Sequence, residues 1–298
     1  MRDAHRSDAA AIAAIWAGAV PYLVRSRARA AADLRKDGVL RRRRWVGLLD
    51  GEVAGIATSR PAGAGGSVFL TVEVRPDRGS RGVGSALLRE AATAFSGSVA
   101  LRSVGNGDPV SVSFAVRNGF VPDGERDVAR LDPRTVGRAG TVPHALRAVP
   151  LEAVRNLKML LDTHNLSARD DPSGLSWHHT MQSLRADWWD SPDNAPELSW
   201  GLLADEPGGQ VLAAFTSVQV ERDQHRSWSS MTATHPSYRG RGLATWVKRR
   251  TLNALADDGV TESWTAYDSG NAPMDALNRT LGYDVVTTSL RLSRRLHA

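Results

Sequence analysis

One short glycine–arginine loop occurs twice in this chain, and such a loop dictates what must lie on either side of it. The fuller copy, His235 to Ala244, reads His-Pro-Ser-Tyr-Arg-Gly-Arg-Gly-Leu-Ala, and the other, Arg75 to Gly84, reads Arg-Pro-Asp-Arg-Gly-Ser-Arg-Gly-Val-Gly. Each follows a strand-like run (Ser67 to Val74, Ser227 to Thr234) and opens a helix-like run (Ser85 to Phe95, Thr245 to Asp257). A strand that turns through glycines into a helix start presents free backbone N–H groups at the positive end of the helix dipole. That arrangement suits a pyrophosphate.

The loops belong to a longer ordered set. Gly82 and Gly242 lie 160 residues apart, and the closing pairs Gly119-Phe120 and Gly282-Tyr283 lie 163 apart. Turn pairs at Asp50-Gly51 and Gly208-Gly209 recur at about the same interval. A single G-x-G is weak, whereas an ordered set repeated at one spacing is strong.

The loops resemble the acetyl-CoA-binding motif of the GCN5-related N-acetyltransferase family, R/Q-x-x-G-x-G/A. Arg239, Gly242 and Ala244 complete it; the first copy keeps Gly82 and Gly84 but has Gly79 where Arg or Gln belongs. Asn271 stands eleven residues before Gly282, as in the family, and Asp108 stands at that place in the first half. The resemblance spans nearly the whole chain. It implies an α+β fold of two fused domains, each a mixed, mostly antiparallel sheet flanked by helices. The Pro- and Gly-containing stretch 133–143 is expected to link residues 1–132 to residues 144–298.

The same resemblance implies site residues. In the second half Thr232, Thr234, Arg239, Gly240, Arg241, Gly242, Leu243, Ala244, Asn271 and Asn278 are expected to hold the coenzyme. Val74, Arg81, Gly82, Val83 and Gly84 are their counterparts in the first half. Family members commonly carry a Tyr four residues before the closing Gly to protonate the leaving thiolate. Ala115 and Asn278 occupy those positions here. Leu70, Thr71, Ser230 and Met231 stand where a carboxylate base is frequent. Tyr267 remains a candidate acid and Glu73 a candidate base, although alternation with Val72 and Val74 aims Glu73 at the other sheet face.

Composition narrows the chemistry. The 298 residues suit two domains of ordinary size. There is no cysteine, which excludes a disulfide framework, thiolate metal ligands and a cysteine acyl-enzyme. A net charge of +6 favours a polyanionic ligand such as coenzyme A. His178-His179 lack the spacing of a metal site, so no metal is expected. The run Arg41 to Arg44 reads as a solvated segment, and no nucleic-acid motif accompanies it. Ala9 to Val24 follows Arg2 and Arg6 as a signal peptide would, but Asp3, Asp8 and Pro21 favour a helix capped by Asp8. No run reaches membrane-spanning length. Trp188-Trp189, with Trp177 and Trp200, line either a core or an acceptor pocket.

The expectation is therefore a cytoplasmic acetyltransferase, using acetyl-CoA on a small-molecule amine and working as a monomer or homodimer. Its second half would carry the active coenzyme site. The alternative is a non-catalytic acyl-CoA-binding or regulatory module.

Overall fold

A computed structural model of the chain describes residues 1–36, 41–62, 66–94, 100–171 and 178–296. Phe95, Val99, Trp177 and the start of the helical run expected from Gly174 lie outside the described residues. The chain divides into two compact units: Met1–Arg126 with Thr288–Ala298, and Asp127–Thr287. This division differs from the expected 1–132 and 144–298. It falls inside strands, and the last strand closes the first unit.

Unit 1 runs β1 (Arg2–Asp3), α1 (Ala9–Ala19), α2 (Arg27–Lys36), β2 (Arg43–Leu49), β3 (Glu52–Pro61), β4 (Ser67–Val74), α3 (Val83–Thr93), β5 (Ala100–Asn106), α4 (Pro109–Arg117) and the start of β6 (Val121–Leu131). Unit 2 continues through β7 (Leu146–Pro150), α5 (Leu157–Ala168), α6 (Met181–Leu184), β8 (Trp200–Glu206), β9 (Gly209–Glu221), β10 (Arg226–Thr234), α7 (Leu243–Asp257), β11 (Glu262–Asp268) and α8 (Ala272–Leu281). β12 (Asp284–Arg295) begins in unit 2 and ends in unit 1. The stretch after α6, Arg185–Trp189, is π-helical.

In unit 1 the strands lie in the order β1-β2-β3-β4-β5-β12, antiparallel except where β4 and β5 run parallel. In unit 2 the order is β6-β11-β10-β9-β8-β7, with β10 and β11 parallel and the pairs from β10 through β9 and β8 to β7 antiparallel. A parallel pair needs a crossover, which α3 and α7 supply. Strand alternation gives each sheet two apolar faces. On one face of unit 1, Ile12, Ile15 and Trp16 of α1 pack on Val46 and Ile56. On the other, Leu87, Leu88 and Ala91 of α3 pack with Leu70, Leu101 and Phe120. Unit 2 buries Trp188, Leu184 and Phe215 in one cluster, and Leu252, Leu255, Tyr267 and Leu281 in another.

The eleven-residue spacing proves to be a bracket around one helix. Asn271 caps α8, its side chain accepting from Met274 N at 3.2 Å, and Gly282 ends the helix at φ +93°. In unit 1 Asp108 accepts from Val110 N and Ser111 N at 3.0 Å, and Gly119 follows α4 at φ +78°. Asp caps as well as Asn, so this substitution costs the first half nothing.

Candidate active site

The two loops share one backbone. Arg75 and His235 have φ, ψ of −53°, 130° and −55°, 135°, and each precedes a single helical turn opened by proline. Gly79 and Arg239 are both extended, at φ −60° and −67°. Next come two left-handed positions: Ser80 (φ +59°) and Gly82 (φ +80°) in unit 1, Gly240 (φ +73°) and Gly242 (φ +70°) in unit 2. Gly82 and Gly242 are the N-caps of α3 and α7. Any residue adopts the extended conformation of Gly79, so the missing Arg leaves the loop's shape intact. Ser80 is the strained member, at a cost of about 1–2 kcal/mol that Gly240 avoids.

Around the second loop, Arg239 Nη1 donates to Asp170 Oδ2 at 2.6 Å, and Arg241 Nη2 donates to the Ser237 carbonyl at 3.1 Å. The Arg241 guanidinium lies 5.0 Å from the Tyr238 ring. Both residues join Leu243, His144 and Asp205 in lining a cleft beside the loop. In unit 1 the exposed Arg81 lies 3.9 Å from Asp50, and Val83 is buried against the sheet. That close approach needs small residues beneath: a Cβ at Gly47 would lie 2.7 Å from Val83 Cγ1.

Opposite each loop a strand pair opens. β10 and β11 are paired only from Arg226↔Glu262 to Trp228↔Trp264, and both strands then run on unpaired with each other. β4 and β5 likewise stop pairing after Phe69↔Arg102. The units differ in detail. β10 carries a bulge against β9 at Ser230, whereas β4 pairs with β3 without a shift. Thr232 hydroxyl lies 3.2 Å from that of Thr216, and Thr234 ends the strand half-buried.

A family model described as Acetyltransferase (GNAT) family matches residues 13–120 and again 160–283. The chain belongs to the GNAT acetyltransferase family. Solved structures share the fold across both halves. A tandem GNAT protein from the clavulanic acid biosynthesis pathway is 19% identical, with a TM-score of 0.74, covering 100% of this chain and 98% of its own. A GNAT of Sphaerobacter thermophilus is 18% identical, with a TM-score of 0.67, covering 100% and 95%. One from Kribbella flavida is 16% identical, with a TM-score of 0.54, covering 90% and 95%. No relative among curated sequences matches the chain.

The remaining positions of this tandem GNAT chain fall as follows. Tyr267 is buried, and its hydroxyl donates to Asp275 Oδ1 at 3.0 Å. Burial, then that carboxylate, pushes the phenol up to about 12. A phenol held on a carboxylate is a poor proton donor, so Tyr267→Phe should lower turnover by less than about threefold. Steady-state kinetics of the variant against amine acceptors checks this. Glu73 accepts from Thr71 Oγ1 at 3.2 Å and from Arg25 Nη1 at 3.5 Å, on the face opposite Val72 and Val74. Burial raises its carboxyl, against the pull of Arg25. His235 Nδ1 accepts from Ser237 N, a capping role. Trp188 stacks on Phe215 at 5.8 Å within a core cluster, and Trp200 lies under the Arg250 guanidinium at 3.8 Å.

Asn271 spends its side-chain oxygen on the cap, and Asn278 is fully buried. What Asn278 meets was not among the expected site residues. Lys248 of α7, 1% exposed, donates from Nζ to Asn278 Oδ1 at 2.7 Å and to Thr265 Oγ1 at 3.4 Å. Its ammonium sits 4.7 Å from the centre of the Tyr283 ring. Burial alone lowers the lysine to about 7. The signal for it was available in the repeat, since Leu88 lies 160 residues earlier, the interval between the loop glycines.

Unit 1 also differs at the mouth of its opening. A Cβ at Gly84 would lie 3.3 Å from Phe114 Cε2 and 3.5 Å from Val74 Cγ2, so the Phe114 ring lies across the end of β4 and the start of α3. Its counterpart in unit 2, at the 163-residue interval, is the smaller Leu277. Among the described residues no group of three or more His, Asp or Glu side chains is placed to hold a metal ion.

Proposed function

We propose that the chain is an acetyl-CoA-dependent N-acetyltransferase that passes an acetyl group directly to the amine of a small molecule, with unit 2 as the working unit. The observation that carries this reading is the opening between β10 and β11 beyond Trp228 and Trp264, facing the Gly240–Gly242 nest at the start of α7. The residues present fit the co-substrate. The Arg239 N–H is spent on the Pro236 carbonyl at 3.3 Å, and the backbone N–H groups of the Gly240–Ala244 turn, at the N-terminal end of α7, suit a diphosphate. The unpaired inner edge of β10 offers amide partners for an extended arm laid between the strands. When bound, acetyl-CoA supplies the acetyl group as a thioester.

The chain's own part is alignment and charge. Holding the two reactants side by side supplies much of the rate enhancement in such a transfer. The bulge turns Ser230 out of the ladder with β9, which leaves its amide as a donor for a developing oxyanion. The positive net charge draws in the polyanionic co-substrate. A cytoplasmic monomer or homodimer acting without metal, nucleic acid or membrane belongs to the same reading. Among the described residues no helix is long and apolar enough to cross a membrane.

Release of free thiol from acetyl-CoA in the presence of small primary amines tests the reading. It should occur with the wild type and stop in Gly242→Glu. Tight binding without release across a broad amine panel would instead favour a non-catalytic acyl-CoA-binding module. In unit 1 the Phe114 ring is expected to exclude the arm. Phe114→Ala should therefore add a second coenzyme A site per chain, which calorimetry reads as a rise in stoichiometry from one to two.

A further inference from the structure

Unit 1 carries a polar cluster that its fold does not require. β4 and β5 stop pairing after Phe69↔Arg102, so Thr71 and Glu73 of β4 and Asn106 of β5 stand where the strands have parted. Strand alternation turns these side chains away from Leu70, Val72 and Leu101, which pack on the α3 side. The segment between α1 and α2 adds Tyr22 and Arg25. Arg25 Nη1 donates to Glu73 Oε1 at 3.5 Å, Thr71 Oγ1 to Glu73 Oε2 at 3.2 Å, and the Tyr22 hydroxyl to Asn106 Oδ1 at 3.4 Å.

The repeat shows that the architecture is built without these groups. At the interval of the loop glycines, Met231 and Ala233 of unit 2 take the places of Thr71 and Glu73. Ala233 is buried with Trp188 and Phe215, and Met231 packs against the same cluster. Burying a carboxylate in that place is costly unless close partners compensate. The guanidinium contact of Glu73, at 3.5 Å, is long beside the roughly 2.7–2.9 Å of a well-made charge-assisted bond.

The cluster is within reach of a small molecule. The Arg25 side chain is 30% exposed, yet burial is the main influence on its guanidinium, lowering it against the pull of Glu73. A side chain that touches water and is also desolvated lines a recess. Tyr22 behaves alike, half-buried with its phenol pushed up chiefly by burial. Glu73 lies deeper, at 8% exposed, and burial raises its carboxyl. The Arg25 guanidinium lies over the Trp16 ring, 5.2 Å from its centre, which steadies its plane. Behind the recess the charge is mostly positive, since Asp33 is shared by Arg29, Arg42 and Arg44 at 3.6, 3.8 and 3.3 Å.

We propose that this recess of unit 1 binds a free α-amino acid, its carboxylate on Arg25 and its ammonium on Glu73. The planar fork of a guanidinium matches a carboxylate, and a buried carboxylate accepts an ammonium. An α-amino acid carries both groups on one carbon, so one small molecule serves two neighbouring side chains of opposite charge. The four charges then alternate, and the long Arg25–Glu73 contact is no longer the main bond of either. Thr71 offers the ammonium a hydroxyl oxygen. Asn106 Nδ2 is tied to the Ala19 carbonyl at 2.8 Å, which holds its side-chain oxygen toward Tyr22. A carboxylic acid alone would leave Glu73 without its cation, and an amine alone would meet the positive field behind the recess. No acetyl transfer is assigned to this site, and it stands apart from the reading of unit 2.

Calorimetric titration of the whole chain with each common L-amino acid in turn, without coenzyme A, tests the site. At least one should bind at one site per chain with a dissociation constant below about 1 mM. The analogue of that amino acid lacking the amine, and the one lacking the carboxylate, should each bind at least about tenfold more weakly. These analogues read the pairing on the unaltered chain, so the result does not depend on any variant folding. Arg25→Met, Glu73→Gln and the double variant Thr71→Met/Glu73→Ala, which installs the pair unit 2 already tolerates, should each lose at least about tenfold. Their melting temperatures without ligand report that they fold. No binding of any amino acid at about 10 mM would overturn the site. Equal binding of either analogue, or binding undiminished in the folded double variant, would overturn it as well.

Discussion

Gly242→Glu should weaken coenzyme A binding by at least about hundredfold, while Gly82→Glu leaves it within about threefold. Gly242 adopts φ +70°, and nothing lies within 4 Å of where its Cβ would stand. The substitution therefore meets no steric obstacle from the folded core, and the melting temperature should fall by a few degrees at most. What changes is the nest. A non-glycine residue in the left-handed region costs about 1–2 kcal/mol, and a carboxylate facing a diphosphate adds several more. A loss of about 2.7 kcal/mol is already hundredfold. Gly242→Ala separates the two effects, since it keeps the strain and omits the charge; about tenfold is expected. Isothermal titration of each variant reads these numbers directly. Equal losses from Gly82→Glu and Gly242→Glu would show that the chain does not divide its labour between units.

The second large effect is on stability. The double variant Lys248→Leu/Asn278→Ala should be more stable than the wild type at neutral pH, and the gap should close as pH rises. The unfolded lysine ionises near 10.5 and the folded one near 7. Between those values the unfolded chain binds a proton that the folded chain does not, so wild-type stability rises with pH. Below about pH 7 both states are protonated, and the full penalty of the buried charge is present and constant. Across the window the wild type should gain roughly 4–5 kcal/mol relative to the variant, at about 1.4 kcal/mol per pH unit. Solvent penetration into the native state would reduce that figure. Denaturant unfolding of both proteins at matched pH values measures the difference. A gap unchanged by pH would mean that Lys248 ionises at its ordinary value and is not buried as described.

Much of this was legible in the residues. The two loops, the strands before them and the helices after them follow from glycine and proline chemistry that acts locally, and local signals survive in a sequence. The first loop departs from the motif in sequence yet keeps the backbone of the second. Gly79 stands where any residue fits, and Asp108 caps a helix as Asn271 does. The strain at Ser80 and the ring of Phe114, the features that do distinguish unit 1, depend on φ and on packing and leave little trace in a motif.

Lys248 was hidden by its neighbours. Three consecutive cations, Lys248, Arg249 and Arg250, carry no local sign of burial, although Val247, Lys248, Thr251 and Leu252 form the buried face. Alignment of the two halves would have exposed it, because Leu88 marks the position as core. The division into compact units differs from the expected boundaries for a similar reason. Prolines and glycines mark 133–143, but the chain passes between units within β6 and β12, where nothing in composition changes.

The most direct measurement is the stoichiometry of acetyl-CoA binding to the wild-type chain by calorimetry. One site per chain, abolished by Gly242→Glu and untouched by Gly82→Glu, is the expected result. A single site abolished by Gly82→Glu would put the chemistry in unit 1, and no heat at all would mean a GNAT fold that has lost its co-substrate.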